Sequence, residues 1–201
     1  MINTSIKKQL SFLIEIDKVK NIIRKTKLFD GSRLENDAEH SWTICIMAVL
    51  LKEYANFDIN IERVLIMLLV HDIVEIDAGD TFLYSSARNA AHDKEVIAAN
   101  RIFGLLDTEQ ADYFLSIWKE FEARQTNESK FASVFDRLEP VLQNYLNEGF
   151  AWKTHGITKS QVIEKNKHIA EGSVELWKFV EWLLDDAEKR GFFSIQSDVK
   201  N

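Results

Sequence analysis

Apolar positions recur every three or four residues along most of this chain, the spacing of helices that bury one face. Phe12, Ile16, Val19 and Ile23 form one such stripe and predict a first helix over residues 4–27. A second helix is predicted from Asn36 or Asp37, with Glu39 in its first turn, to about Ala55, and Trp42, Ile46, Leu50 and Ala55 share one of its faces. The third, from about Asn60 to Ile76, contains Val64 to Val70 without a polar break, which marks it as central, and Gly79 ends it.

Further helices are expected at about 86–105, 108–125, 128–148 and 159–189. Asp107 with Gln110 and Thr158 with Gln161 have the spacing of capping boxes, and Gly149 and Gly191 read as stops. Between them, Phe150 to Ile157 reads as an ordered loop pinned by Trp152. No internal repeat, Pro- or Ser-rich linker or composition break divides the chain. The expectation is a single all-α domain over 1–193, a bundle of six to eight helices, followed by a polar tail at 194–201.

Composition narrows this without changing it. With 46% apolar and 28% charged residues, seven Gly and one Pro in 201, the chain is neither collagen-like nor low-complexity nor a disulfide scaffold. Its one cysteine, Cys45, permits no internal disulfide and no Cys-rich zinc site, and reads as a small buried hydrophobe. No 18-residue apolar run and no signal-peptide pattern occur, so a cytoplasmic protein off the membrane is expected. The net charge of −7 argues against a nucleic-acid polymer or an anionic membrane as partner. Yet Asp17 to Arg33 holds six basic residues against two acidic ones, a local excess suited to a small anion.

The strongest chemical signal is His71-Asp72, followed by Glu75, inside the most apolar helix. Ionisable groups withdrawn from water there need partners or a metal. Glu75 lies four residues after His71 and three after Asp72, so the three share a helical face. His40 on the preceding helix and Asp136, which interrupts the apolar face of Phe131, Val134, Phe135 and Leu138, are the other candidate ligands. Two imidazoles with two carboxylates suit one divalent ion, Mn, Co, Fe, Ni, Zn or, less readily, Mg. Such an ion lowers the pKa of water and polarises a phosphoryl or carbonyl oxygen, which points to metal-assisted hydrolysis.

The order His40, then His71-Asp72 after 31 residues, then Asp136 after 64 more resembles the H…HD…D signature of the HD-domain metal-dependent phosphohydrolases. Ala38-Glu39-His40-Ser41 and the run from His71 to Asp80 are similar to the 5′-deoxynucleotidase-like branch, which keeps a Glu four residues and an acid nine residues after the second His. The resemblance covers about residues 10–185. It implies a helical homodimer in which His40, His71, Asp72 and Asp136 hold one metal ion. Glu75 would orient or deprotonate the attacking water, and Asp80 would lie beside the leaving or sugar group. Arg24 falls where that branch reads the phosphate, with Arg33 a second candidate.

Lys25, a third substrate-binding candidate, stands where better-known deoxynucleotidases follow that arginine with Trp, so the resemblance implies phosphatase chemistry more firmly than a preference for a deoxy sugar. The implied substrate is a nucleoside or deoxynucleoside 5′-monophosphate. Alternatives are another phosphorylated metabolite, a nucleoside di- or triphosphate, or a non-catalytic nucleotide-binding protein with a structural metal. His92, His155 and His168 have no partners at ligand spacing and read as structural or exposed. Trp118, Trp177 and Trp182 read as core or dimer interface, and Lys94-Glu95 as a solvated face.

Overall fold

The computed structural model describes residues 3–85 and 88–194, the side chains of 88–91 excepted. Among them eight helices have eight residues or more: α1 (Thr4–Ile16), α2 (Asp37–Leu50), α3 (Ile61–Val70), α5 (Arg88–Phe103), α6 (Thr108–Ala123), α7 (Asn127–Leu146), α9 (Lys159–Asn166) and α11 (Val174–Lys189). Three short ones, α4 (Glu75–Ala78), α8 (Phe150–Thr154) and α10 (Ile169–Gly172), fill the connections. The helical class expected from the pattern holds. The start of the helix expected at 86 and the tail from 195 lie outside the described residues.

The departure that matters lies between 17 and 36. The helix expected to reach residue 27 stops at Ile16, passes through one 3₁₀ stretch (Asp17–Asn21), and gives way to β1 (Ile23–Lys27). This strand pairs antiparallel with β2 (Leu34–Asn36), with Ile23 opposite Asn36 and Lys27 opposite Leu34. Ile22, Ile23 and Thr26 are β-branched, and the period shortens to two here, with Arg24 and Thr26 inward and Ile23 and Lys25 exposed. Glu35 on β2 is likewise turned inward and buried. The hairpin feeds directly into α2, whose capping box is complete: Asn36 Oδ1 accepts from the Glu39 amide at 3.0 Å while the Glu39 carboxylate accepts from the Asn36 amide at 3.2 Å. Such a cap stabilises a helix by about 1 kcal/mol, and it fixes the first turn on which His40 sits.

The axis of the bundle is α7 rather than α3. It packs against α2, α3, α6, α10 and α11 and buries Phe131, Ala132, Val134, Phe135 and Leu138. Each large apolar side chain so buried contributes about 1.5–3 kcal/mol. By contrast α3 leaves Leu69 55% exposed, and the buried face of α2 is Ser41, Ile44, Cys45 and Ala48 while the expected stripe of Trp42, Ile46 and Leu50 faces outward. After α3 the backbone tightens to bonds three residues apart (Ile73 to Val70, Glu75 to Asp72), continues into α4 and stops at Gly79, as expected.

The long helix expected over 159–189 is broken twice. A Cβ on Gly172 would come within 2.5 Å of the Lys130 carbonyl, so α10 lies unusually close to α7, and Ser173 then starts α11 by accepting from the Leu176 amide. Thr158 and Gln161 make their capping box, but Asp107 does not cap α6; its carboxylate takes hydrogen bonds from Ser5 and Lys8 instead. Residues 150–157 form a short helix with Trp152 buried, rather than a loop. Trp118 is in the core, whereas Trp182 is 58% exposed and stacks on Phe179.

Gly149 adopts φ +74°, and a Cβ there would lie 1.9 Å from the Phe192 carbonyl oxygen, whereas Gly156, at φ +68°, has open space. Gly156→Ala should therefore cost about 1–2 kcal/mol, the left-handed penalty alone, and Gly149→Ala clearly more. Equal losses in urea unfolding would show that the contact with Phe192 does not hold the C-terminal segment.

Candidate metal centre and substrate cleft

His40 in the first turn of α2, His71 and Asp72 just beyond α3, and Asp136 midway along α7 converge although they come from three separate stretches of chain. His40 Nε2 lies 3.4 Å from Asp136 Oδ1 and 3.9 Å from Asp72 Oδ2, and His71 Nε2 lies 3.7 Å and 3.1 Å from the same atoms. The donor atoms of His40, His71 and Asp72 all fall within 4.8 Å of one another. Both Nε2 atoms are buried and neither has a hydrogen-bond partner among the described residues.

Their other nitrogens are committed. His71 Nδ1 donates to the Leu68 carbonyl at 2.9 Å, which leaves a lone pair on Nε2. His40 Nδ1 meets Glu139 Oε2 at 2.5 Å, and Glu139 is in turn held by Gln143 Nε2 at 3.1 Å. A ligand imidazole anchored through its second nitrogen by a carboxylate or carbonyl is the usual support of a metal site. Two orphaned, pre-aimed nitrogens beside two carboxylates therefore fit one divalent ion, with mixed N and O donors that do not select among Mn, Co, Fe, Ni and Zn.

The charges around them point the same way. Burial and Arg24 lower the pKa of His40, yet Glu139 and Asp136 raise it to about 9; burial lowers that of His71, yet Asp72 and Asp136 raise it to about 10. Burial and its neighbour Glu139 push Glu35 up to about 8, and burial with Asp72 pushes Asp37 up to about 6. Burial, Asp72 and Asp37 raise Glu75 well above the usual carboxylate range, and burial raises Asp80 too. Against burial, His71 and Arg24 hold Asp72 low, and Arg137 and His40 hold Asp136 low. This is a centre with an excess of negative charge.

The centre opens into a cleft of two lobes. The acidic lobe is lined by His71, Asp72, Glu75, Asp80, Asp136 and Arg137. The other has about 570 Å³ of space, part of it open to solvent, and is walled by Phe82, Tyr84, Val141 and Trp152, with Lys25 and Thr26 along one side. Arg24, Asp80, Asp136 and Arg137 border both. Arg24 reaches the boundary from β1, with Nη1 2.9 Å from Asp72 and 3.2 Å from Asp37 and Nε 3.7 Å from Glu35.

The structure thus brings together His40, His71, Asp72, Asp136, Glu75, Asp80, Arg24 and Lys25. It does not bring Arg33, which is exposed at the hairpin end and pairs with both oxygens of Glu39. Sequence reasoning missed Glu35, Asp37, Glu139 and Arg137. The signal for Glu139 was available, since a buried acid three residues after Asp136 lies on the same side of α7; Glu35 and Asp37 required knowledge of the hairpin. His92, expected to lack partners, lies 3.9 Å from both Glu95 and Glu122, and Glu95 borders the acidic lobe rather than plain solvent. His155 packs on Phe82 at the other end of the cleft.

A family model described as "HD domain" matches residues 16–177. The "5'-deoxynucleotidase HDDC2" of Danio rerio is 27% identical over 184 residues, spanning 81% of this chain and 90% of its own length; its human counterpart is 26% identical, over 67% of this chain and 65% of its own length. A crystal structure described as a "Predicted metal-dependent phosphohydrolase from Magnetospirillum magnetotacticum MS-1" superimposes with a TM-score of 0.93 at 47% identity, covering 97% of this chain and all of that one.

Replacing the anchor of His40, Glu139→Gln, should weaken Mn²⁺ binding about ten- to a hundredfold in calorimetry. Because protons on His40 and His71 compete for the same lone pairs up to about pH 9 and 10, affinity should also rise with pH. An affinity untouched by Glu139→Gln refutes the anchoring role.

Proposed function

The chain belongs to the HD-domain family, and from that membership we propose that it is a metal-dependent phosphomonoesterase acting on a nucleoside or deoxynucleoside 5′-monophosphate. The observation that carries this is the pair of buried, partnerless Nε2 atoms of His40 and His71 facing Asp72 and Asp136, at the edge of a cleft that a buried arginine also enters. The deoxynucleotidase relatives and the phosphohydrolase of like structure support the reaction class. A cleft with one charged and one aromatic lobe supports a substrate with a phosphate at one end and a flat, apolar ring at the other.

In this reading His40, His71, Asp72 and Asp136 would hold one divalent ion, which supplies a lowered pKa for water and polarisation of a phosphoryl oxygen. Arg24 binds the phosphate, and Glu35, Asp37 and Asp72 keep its guanidinium in place and charged. Glu75, whose buried Oε2 has no hydrogen-bond partner, takes a proton from water as the oxygen adds to phosphorus. The ester P–O bond breaks, the leaving oxygen takes up a proton from solvent water, and Asp80, between the lobes, stands beside the departing alcohol. The products are an alcohol and inorganic phosphate.

An exposed apolar stripe supports the homodimer that the resemblance implies. Trp42, Ile46, Val49 and Leu50 make an outward stripe on α2, between 45% and 69% exposed, beside Leu69 of α3. Light scattering should give twice the chain mass, and Trp42→Lys should give the chain mass; a wild-type monomer refutes the dimer.

The reaction is tested by phosphate release from a panel of ribo- and deoxynucleoside monophosphates, with metal-stripped protein resupplied with Mn, Co, Ni, Zn or Mg in turn. Release should require metal. His71→Ala and Asp72→Ala should lose both metal and turnover, whereas Glu75→Gln should keep metal and lose about 10²–10⁴ in rate. Full turnover in Asp72→Ala would sink the assignment. Metal binding without cleavage of any nucleotide would replace it with the other-metabolite or binding readings.

A further inference from the structure

Strand β1 carries a second inward group. Its alternation turns Thr26 to the same side as Arg24, two residues further along the strand, and both line the aromatic lobe. Thr26 is 8% exposed, and its Oγ1 is buried with no hydrogen-bond partner among the described residues. A buried hydroxyl in that state destabilises the folded chain, because it has given up water without replacement.

Several polar side chains beside Thr26 in the lobe are engaged. Asn144 Oδ1 accepts from the amides of Ala151 at 3.0 Å and Trp152 at 3.3 Å, and its Nδ2 donates to the Pro140 carbonyl at 2.9 Å. Asn166 Nδ2 donates to the Val162 carbonyl at 2.7 Å, and the Tyr84 hydroxyl is hydrogen-bonded to Asn166. Thr26 Oγ1 differs from these in having no protein partner, and a hydroxyl can both donate and accept.

We propose that Thr26 is a specificity-determining residue of the cleft, its hydroxyl pairing with a free sugar hydroxyl on the organic half of the phosphate monoester held by Arg24. The inference rests on the phosphomonoesterase reading and adds to it a substrate class: esters whose leaving alcohol keeps a second hydroxyl within one sugar ring of the phosphate, ribonucleoside monophosphates included. The geometry favours this because phosphate and hydroxyl readers sit two residues apart on one short strand and both line the aromatic lobe. Lys25 between them lines the same lobe but carries no ring, so no aromatic side chain from that position closes over the sugar.

The test compares wild type, Thr26→Val and Thr26→Ser on ribo-, 2′-deoxy- and 3′-deoxynucleoside 5′-monophosphates. Valine matches threonine in shape and lacks the hydroxyl. In Thr26→Val the advantage of the ribonucleotide over at least one deoxy counterpart should shrink about tenfold in kcat/KM, mostly through KM, and Thr26→Ser should restore it. The unliganded Thr26→Val protein should also melt at a higher temperature, since an unsatisfied hydroxyl has been removed. A proportional loss on all three substrates, or ratios that stay at their wild-type values, overturns the proposal.

Dissociation constants for the same three nucleotides, measured by calorimetry without added metal, give the contrast independently of turnover. If nothing is hydrolysed but the contrast in binding shrinks in Thr26→Val, the hydrolase reading falls and the role of Thr26 stands. If hydrolysis proceeds and neither rates nor binding change their ratios, the reverse holds.

Discussion

Taking an ionised carboxylate out of water is unfavourable by several kcal/mol unless opposite charge goes with it, and the whole arrangement around His40 answers to that constraint. Glu35, Asp37 and Glu139 are buried, and Asp72 and Asp136 are nearly so. Arg24 neutralises part of the excess from one side and Arg137, 3.5 Å from Asp136, from another. What remains raises the proton affinity of both imidazoles, the signature of a pocket that holds a cation by preference. The bundle supplies the rigidity this requires, because the candidate ligands sit on α2, just beyond α3 and on α7, three helices that pack on one another through apolar faces.

The hairpin makes sense on the same ground. A helix through residues 17–27 would have presented Arg24 on a 3.6-residue period, leaving Glu35 with no strand opposite it. As a strand, β1 delivers Arg24 inward between Glu35 and Asp37, and the Asp37 amide donates to the Ile22 carbonyl at 3.2 Å, tying strand and helix start together. One capping box, at Asn36, therefore sets the position of His40, Asp37 and the end of β2 at once.

How far the sequence discloses this varies by the range of the interaction. Local signals are legible: the Asn36–Glu39 and Thr158–Gln161 caps, the stops at Gly79, Gly149 and Gly191, and the conflict between charge and apolarity at His71-Asp72 all depend on residues within four positions of one another. The stripe through Phe12 and Ile16 is also real, but Val19 and Ile23 continue it only by coincidence of spacing, and the switch to period two at Arg24 and Thr26 is short enough to pass for a helix end. Contacts over long range are not legible. Nothing local says that Gly172 must touch Lys130, that Asp107 serves Ser5 and Lys8, or that Glu139 backs His40 across 99 residues. Arg33 and Arg24 look alike in a run of basic residues; only the hairpin separates an arginine at an exposed turn from one between three carboxylates.

Groups left locally unsatisfied carry more information than those with partners. In a well-packed chain most buried polar atoms find hydrogen bonds, so each exception needs a cause. Here several exceptions collect in one cleft: the Nε2 atoms of His40 and His71, Oε2 of Glu75 and Oγ1 of Thr26. These are two imidazole nitrogens, a carboxylate oxygen and a hydroxyl, set from the acidic lobe and its edge to the aromatic one, and in the reading proposed above they would meet a cation, a water proton and a sugar hydroxyl in that order. The stability forgone at these atoms is recoverable only when a ligand arrives, and that difference between free and bound states is what a binding site consists of.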